Sequence, residues 1–378
     1  MNARPQIASQ SSGALALAGS AAGHAAKNIQ SLTGLRFYAA FSVFFSHMYH
    51  FGYFGVEGPA RLLFAGIGHL GVSLFYVLSG FVLLIRYHDS FAEGAGLKRF
   101  YVARLARIYP AFIATGLLAI PIEFFSPYRG QMLWTLGANA TLTHCLSPQT
   151  CGRLNDVGWS VGVEAAFYVL FPLLLAWLRP GWKLGASMVL VTGGVVALQM
   201  LGHGGFWASD RFFINRVPEF FCGMLAGAFF LRGKSLPGAN RVIGLRVWIT
   251  VLAGILALAP LWLEAFHLTP YYYLCLMLPS SLLISVLACG ERQGVSLRLF
   301  TAAAIVFGGD ISYSFYLLHN LLLRYLRHGS AVVFHASLAD TPLWMQLGLA
   351  SLALVSALIG SALLYRYVEK PGRQKLRA

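Results

Sequence analysis

Arg36 and His47 are the first two residues in this chain able to do chemistry together. They lie eleven positions apart, close to three turns at 3.6 residues per turn. On one helix both therefore point the same way, about 16 Å apart along the axis. An imidazole titrates near neutrality and can take a proton from a hydroxyl. A core histidine bonded to a neighbouring helix is the alternative, and the aligned arginine argues against it. Glu164, in the run Trp159-Ser160-Val161-Gly162-Val163-Glu164, is a carboxylate among apolar residues and needs a cationic partner. It is expected to orient His47 and stabilise its protonated form, as the acid of a nucleophile–base–acid triad does, or else to form a structural ion pair. Glu219 and Asp310 also fall in or near apolar runs but carry no further clue. His50 and His319 are read as structural.

A second group is basic. Lys98-Arg99 precedes Arg104 and Arg107, and the last two, at i and i+3, share one helical face. Such a pair either sets topology and touches lipid headgroups or forms an anion site, since guanidinium forks bind phosphate through two parallel hydrogen bonds. The stretch Gly71–Phe81, GVSLFYVLSGF, is rich in small residues. That suits close helix packing, and Ser79 within it could offer a hydroxyl to a ligand.

The elements that must position these residues are membrane helices. Of 378 residues 57% are hydrophobic and 11% charged, against about 25% charged in soluble chains. This excludes a soluble enzyme, a secreted factor and a disordered scaffold, and the fold class is an all-α polytopic membrane protein. Apolar runs near the roughly 20 residues a spanning helix needs are Gly34–Gly52, Ile67–Tyr87, Ile108–Phe125, Gly158–Leu178 and Leu184–Gly202. Then follow Arg211–Leu231, Val247–Glu264, Pro270–Cys289, Asp310–Arg327 and Leu343–Arg366. Asp310 and His319 interrupt the ninth. About ten transmembrane helices put both termini on one side. With that side cytoplasmic, only Arg61, Arg129, Arg153, Arg211, Arg216, Arg324 and Arg327 of the 28 Lys and Arg lie outside, as the positive-inside bias requires. Both termini are expected to be cytoplasmic, in the cell inner membrane.

The formal charge of +15 is scattered in short clusters between apolar runs, unlike the basic face of a nucleic-acid binder. Residues 1–30, rich in Ala, Ser and Gly, read as a flexible cytoplasmic tail, 31–370 as one membrane domain and 371–378 as a basic cytoplasmic tail. The five cysteines show no metal-ligand spacing. Cys145 and Cys151 fall on one outer loop, where they could form a disulfide or stay free.

Together these pieces resemble acyltransferase family 3, integral-membrane O-acyltransferases of surface glycans and other small acceptors, over Leu32 to Arg373. Leu35-Arg36 through His47 is similar to the family's helix-1 signature, and Gly71–Phe81 to its glycine-led "LSGF" segment. Arg104 to Pro110 resembles its RxxRIxP motif. Trp159-Ser160 with Glu164, Phe167-Tyr168 and Pro172 resembles its tryptophan–serine block. Ile311 to His319 and Glu369-Lys370-Pro371 are similar to its closing segments. Ser73 stands where many members have Asp, and Tyr76 where Phe is usual. No hydrolase-like domain follows the last helix, which corresponds to the stand-alone form.

The resemblance implies acetyl-CoA as cytoplasmic co-substrate, with no metal, and a carbohydrate hydroxyl as acceptor, on a lipid-linked or exported polysaccharide. Arg104 and Arg107, with Arg99, would hold the CoA phosphates, and the pantetheine arm would pass Arg36 to present the thioester near His47. His47 would deprotonate the acceptor hydroxyl or be transiently acylated. Trp159, Ser160 and Tyr168 would position the acceptor, and Ser79 would contact the donor. Transfer of another acyl group, or transfer to a glucan or a macrolide antibiotic, keeps the same motifs. A proton-coupled secondary transporter would also use buried His, Glu and Arg, but it predicts inverted repeats that the hydropathy order does not show.

Overall fold

The computed structural model describes residues 29–56, 58–88, 96–178, 181–200, 205–233, 241–268, 271–335 and 338–377. All but its last residues of the expected N-terminal tail lie outside these. The described residues form helices and turns, with no strand among them. In chain order the helices are α1 Gln30–His50, α2 Pro59–Tyr87, α3 Gly96–Phe124, α4 Met132–Ala140 and α5 Trp159–Leu178. They continue as α6 Gly181–Met200, α7 Phe213–Leu231, α8 Arg241–Ala257, α9 Ala259–Ala265 and α10 Tyr272–Arg292. The last are α11 Arg298–Thr301, α12 Ala303–Asp310, α13 Ser312–Phe334, α14 Leu343–Leu364 and α15 Lys370–Lys375. The expected C-terminal tail is thus helical for most of its length.

Among the described residues, eight of the ten predicted spans fall on one helix each, while the seventh is divided between α8 and α9 and the ninth between α12 and α13. Seven stretches, on α2, α3, α5, α6, α7, α10 and α14, are long and apolar enough to cross a membrane, and α8 with α9, bent by 55°, makes an eighth. The two helices that fall short of that measure are α1 and α13. They carry Arg36, His47 and His50 in one and His319, Asn320, Arg324 and Arg327 in the other. His319 and Asn320 are buried and Arg36, His47 and Arg324 half-buried, as polar residues that face a bundle interior are, whereas His50 and Arg327 are exposed; α1 and α13 pack against each other. The ninth predicted span breaks between α12 and α13, so Asp310 ends a short helix and is exposed rather than sitting within a span.

α2 is the centre of the bundle, packed against α1, α7 and α10. Gly80 and Gly223 bring α2 and α7 together. A Cβ on Gly80 would stand 2.0 Å from the Phe220 carbonyl oxygen, and one on Gly223 1.9 Å from that of Val77. Only backbone-to-backbone contact fits there, the use of small residues expected for this segment. α6 and α14 turn exposed apolar residues outward, among them Val189, Leu190, Leu347 and Ile359, the surface lipid would cover.

Between α4 and α5 the chain folds over one end of the bundle, and Cys145 and Cys151 are joined as a disulfide there. Asn155 ties this segment to α13 by donating to the Leu317 carbonyl at 2.7 Å, and Asp156 pairs with Arg211 at 2.9 Å.

Candidate functional site

A cavity of about 750 Å³, mouth included, opens among α1, α2, α3, α5 and α13. Seven of the residues singled out in the sequence line it: Arg36, Ser79, Arg104, Arg107, Ser160, Glu164 and Tyr168. Helical periodicity explains the gathering. Ser160, Glu164 and Tyr168 recur at four-residue intervals on α5, and Arg104 and Arg107 are three apart on α3, so each set shares a face. Val72, Phe75, Leu78, Val82 and Leu83 supply an apolar wall from α2.

The three arginines differ in how far the protein has committed them. Arg104 is buried, donates to the Tyr87 hydroxyl at 3.0 Å and lies over the rings of Tyr87 and Tyr168. Arg36 and Arg107 are half-buried, and neither forms a hydrogen bond or ion pair with another described residue. Both face Glu164, whose charge acts on each of them, while Glu164 itself accepts from the Tyr168 hydroxyl at 2.5 Å. Two uncommitted guanidinium forks at the edge of an apolar slot can bind a multiply charged anion and hold an extended chain beyond it.

His47 is not among the cavity's lining residues. Its Nδ1 lies 2.9 Å from Nε2 of His319 on α13. Nδ1 of His319 faces the Phe315 carbonyl oxygen at 3.1 Å. A carbonyl only accepts, so in the neutral ring His319 Nδ1 carries the hydrogen and Nε2 the lone pair. His47 Nδ1–H then donates to His319, and His47 Nε2 is left without a proton, as a general base requires. The expected pairing of His47 with Glu164 is therefore replaced by His319. The carboxylate whose charge acts on His47 is Asp156, from the disulfide-closed segment. Tyr316 links the two regions, since it lines the cavity and its ring stands 5.9 Å from that of His319.

The comparisons with known proteins bear on the chain as a whole. Residues 29–366 match the family model described as an acyltransferase domain. The chain belongs to acyltransferase family 3. Among its relatives is acyltransferase MdmB of Streptomyces mycarofaciens, 28% identical and covering 91% of each chain. The exopolysaccharide production protein ExoZ of Rhizobium meliloti is 27% identical over 82% of this chain and 92% of its own. The peptidoglycan O-acetyltransferase OatA of Listeria monocytogenes is 26% identical over 39% of this chain and 24% of its own. No solved structure matches.

Besides His47, two residues expected in the site of this acyltransferase lie apart from the slot. Arg99 is exposed on the first turn of α3, and the buried Trp159 packs near Arg211, whose guanidinium lies 6.0 Å from its ring. The main residue that sequence reasoning underrated is His319. Its signal was its place in a motif, eight residues after Ile311 and two turns into a helix, which nothing in a single sequence joins to α1. The sequence also gave no clue to Glu219. It is fully buried in an ion pair with Arg216 at 2.8 Å, and Arg216 lies 4.9 Å from the ring of Tyr76, another wall of the slot.

Proposed function

We propose that this membrane acyltransferase moves an acetyl group from cytoplasmic acetyl-CoA to a carbohydrate hydroxyl at the outer side, on a lipid-linked or exported polysaccharide. In this reading ten helices span the inner membrane, both termini are cytoplasmic, and the disulfide-closed segment faces the oxidising side, where such bonds persist. The observation that carries it is the slot with two arginines that have no partner among the described residues, linked through Tyr316 and His319 to His47, whose Nδ1 is the nitrogen bonded to His319. ExoZ, a full-length relative, is by its name an exopolysaccharide production protein, which favours a polysaccharide acceptor.

Arg36 and Arg107, with Arg104, take the phosphate-bearing end of the donor, and the α2 wall takes its arm. His47 Nε2 removes the proton of the acceptor hydroxyl. The freed oxygen bonds to the thioester carbonyl carbon, the carbon–sulfur bond breaks, and His47 returns the proton to the leaving thiolate. His319 holds His47 in the required tautomer through the whole cycle. Tyr168 and Glu164 fix the face of α5 that borders the arm.

The test is transfer of radiolabel from acetyl-CoA to glycan in inner-membrane vesicles, with mass spectrometry of surface glycans from a deletion strain. The expected result is acetyl ester on glycan that disappears on deletion. Label found only on a non-carbohydrate product, or on none, would overturn the reading.

A further inference from the structure

A second cavity, of about 1330 Å³ with its mouth, lies at the end of the bundle where α1 finishes and α10 begins. His50, His69, Gln199, Asp210, Glu264 and Tyr272 are among its walls. We infer that this cavity is the acceptor site of the acyl transfer proposed above, and that it takes an uncharged, polyhydroxylated sugar ring. The inference rests on that reading and adds to it the place and chemistry of the acceptor.

Three observations carry it. The first is position. His50, which lines the cavity, is one turn beyond His47 on α1, and the exposed His69 lines the same cavity from α2. Arg216 touches the wall of each cavity. Arg216, wholly buried, stands 4.9 Å from the Tyr76 ring of the arginine slot and 5.3 Å from the Tyr272 ring of this one. Donor and acceptor would thus approach His47 from opposite ends of the bundle.

The second is chemistry. The lining holds two carboxylates and neither lysine nor arginine. Carboxylates accept strong hydrogen bonds from hydroxyl groups, and they repel phosphorylated or uronic rings in a partly enclosed space. The third is preorganisation. Tyr272 donates to Asp210 at 2.7 Å and accepts from Arg216 at 2.9 Å, while the His69 ring lies 4.0 Å from its own. The buried Tyr272 ring thus backs the exposed His69 ring and holds the Asp210 carboxylate beside it, an aromatic face and a hydrogen-bond acceptor that match the C–H face and the hydroxyl edge of a pyranose. An apolar fill by lipid would need none of these polar groups.

The experiment uses vesicles carrying the full chain, radiolabelled acetyl-CoA, and as acceptor the glycan purified from a deletion strain. Asp210→Asn and Glu264→Gln should each raise the KM for glycan about tenfold or more and leave the KM for acetyl-CoA within twofold. Glu264 is exposed at the rim, so its variant should insert even if Asp210→Asn does not. A neutral glucose oligosaccharide should inhibit glycan acetylation more strongly than a galacturonate oligomer of equal length. Equal or reversed inhibition would overturn the preference for an uncharged ring. Labelled glycan with an unchanged glycan KM in both variants would return the cavity to lipid and leave the acyl-transfer reading intact. A wild type that labels no glycan would overturn both.

Discussion

The two cavities are opposite in charge although the buried Arg216 lies against an aromatic ring of each. The slot among α1, α3 and α5 carries three arginines and one carboxylate, and the cavity beside α10 carries two carboxylates and no basic side chain beyond histidine. Burying charge costs several kcal/mol per ion unless it is partnered, so neither set is what packing alone would select. Arg36 and Arg107, half-buried, have no hydrogen-bonding partner among the described residues, while the wholly buried Arg216 pairs with Glu219 and donates to Tyr272. The contrast separates a structural arginine from those that wait for a ligand. It also gives each end of the bundle its own selectivity, since an anion suited to the slot is repelled by the cavity.

The strongest way to break the comparison is at the junction. His47→Ala should lower kcat by about 10²–10⁴ while acetyl-CoA binding, measured by calorimetry on purified protein, stays within twofold. Substantial retained turnover would place the chemistry elsewhere. Next come the uncommitted arginines. Arg36→Ala and Arg107→Ala should each cost about 1.5–3 kcal/mol of donor binding, roughly ten- to a hundredfold in the KM for acetyl-CoA, with the KM for acceptor unchanged. A rise in the acceptor constant alone would reverse the assignment of the two cavities. Arg107→Lys should recover little, because a point charge lacks the planar fork.

A smaller effect is expected at His319. His319→Leu removes the acceptor of the His47 Nδ1–H bond, costing about 1–2 kcal/mol, roughly five- to thirtyfold in kcat. His319→Gln, whose amide oxygen can still accept, should recover most of the loss. A role in packing alone would be served better by Leu than by Gln, so the order of the two variants decides between positioning and bulk.

Much of this arrangement was legible in the sequence because it repeats along single helices. The i, i+3 arginines of α3 and the i, i+4, i+8 set on α5 could be placed on shared faces from spacing alone, and they meet in one slot. What spacing could not supply was which faces oppose each other. Glu164 was assigned to His47 because a buried carboxylate needs a cation, but α5 turns it toward Arg36, Arg107 and Tyr168, and α13 supplies His319 instead. The second cavity was invisible for the same reason. Its walls come from α1, α2, α6, α9, α10 and the segment before α7, none carrying more than two of its polar residues. The helices themselves followed from apolar length, and α1 and α13 are less apolar than the others because of their polar and charged residues.

The smallest expected effect tests the boundary of the slot. Arg99 sits in the same basic cluster as Arg104 and Arg107, and the sequence groups all three as phosphate ligands. The fold separates them. Arg99 is exposed near the start of α3, whereas Arg104 is buried against Tyr87 and Tyr168 one to two turns further in. An exposed guanidinium meets a phosphate in high dielectric and under salt screening, where a pair is worth about 0–1 kcal/mol. Arg99→Ala should therefore change the KM for acetyl-CoA less than about threefold, and 0.5 M salt should abolish even that. The same salt should leave most of the Arg107→Ala defect in place, because a pair held inside the slot is screened less. Equal losses at Arg99 and Arg107 would mean that the donor's phosphates lie outside the slot, on the membrane surface, and that only the acyl-bearing arm enters it.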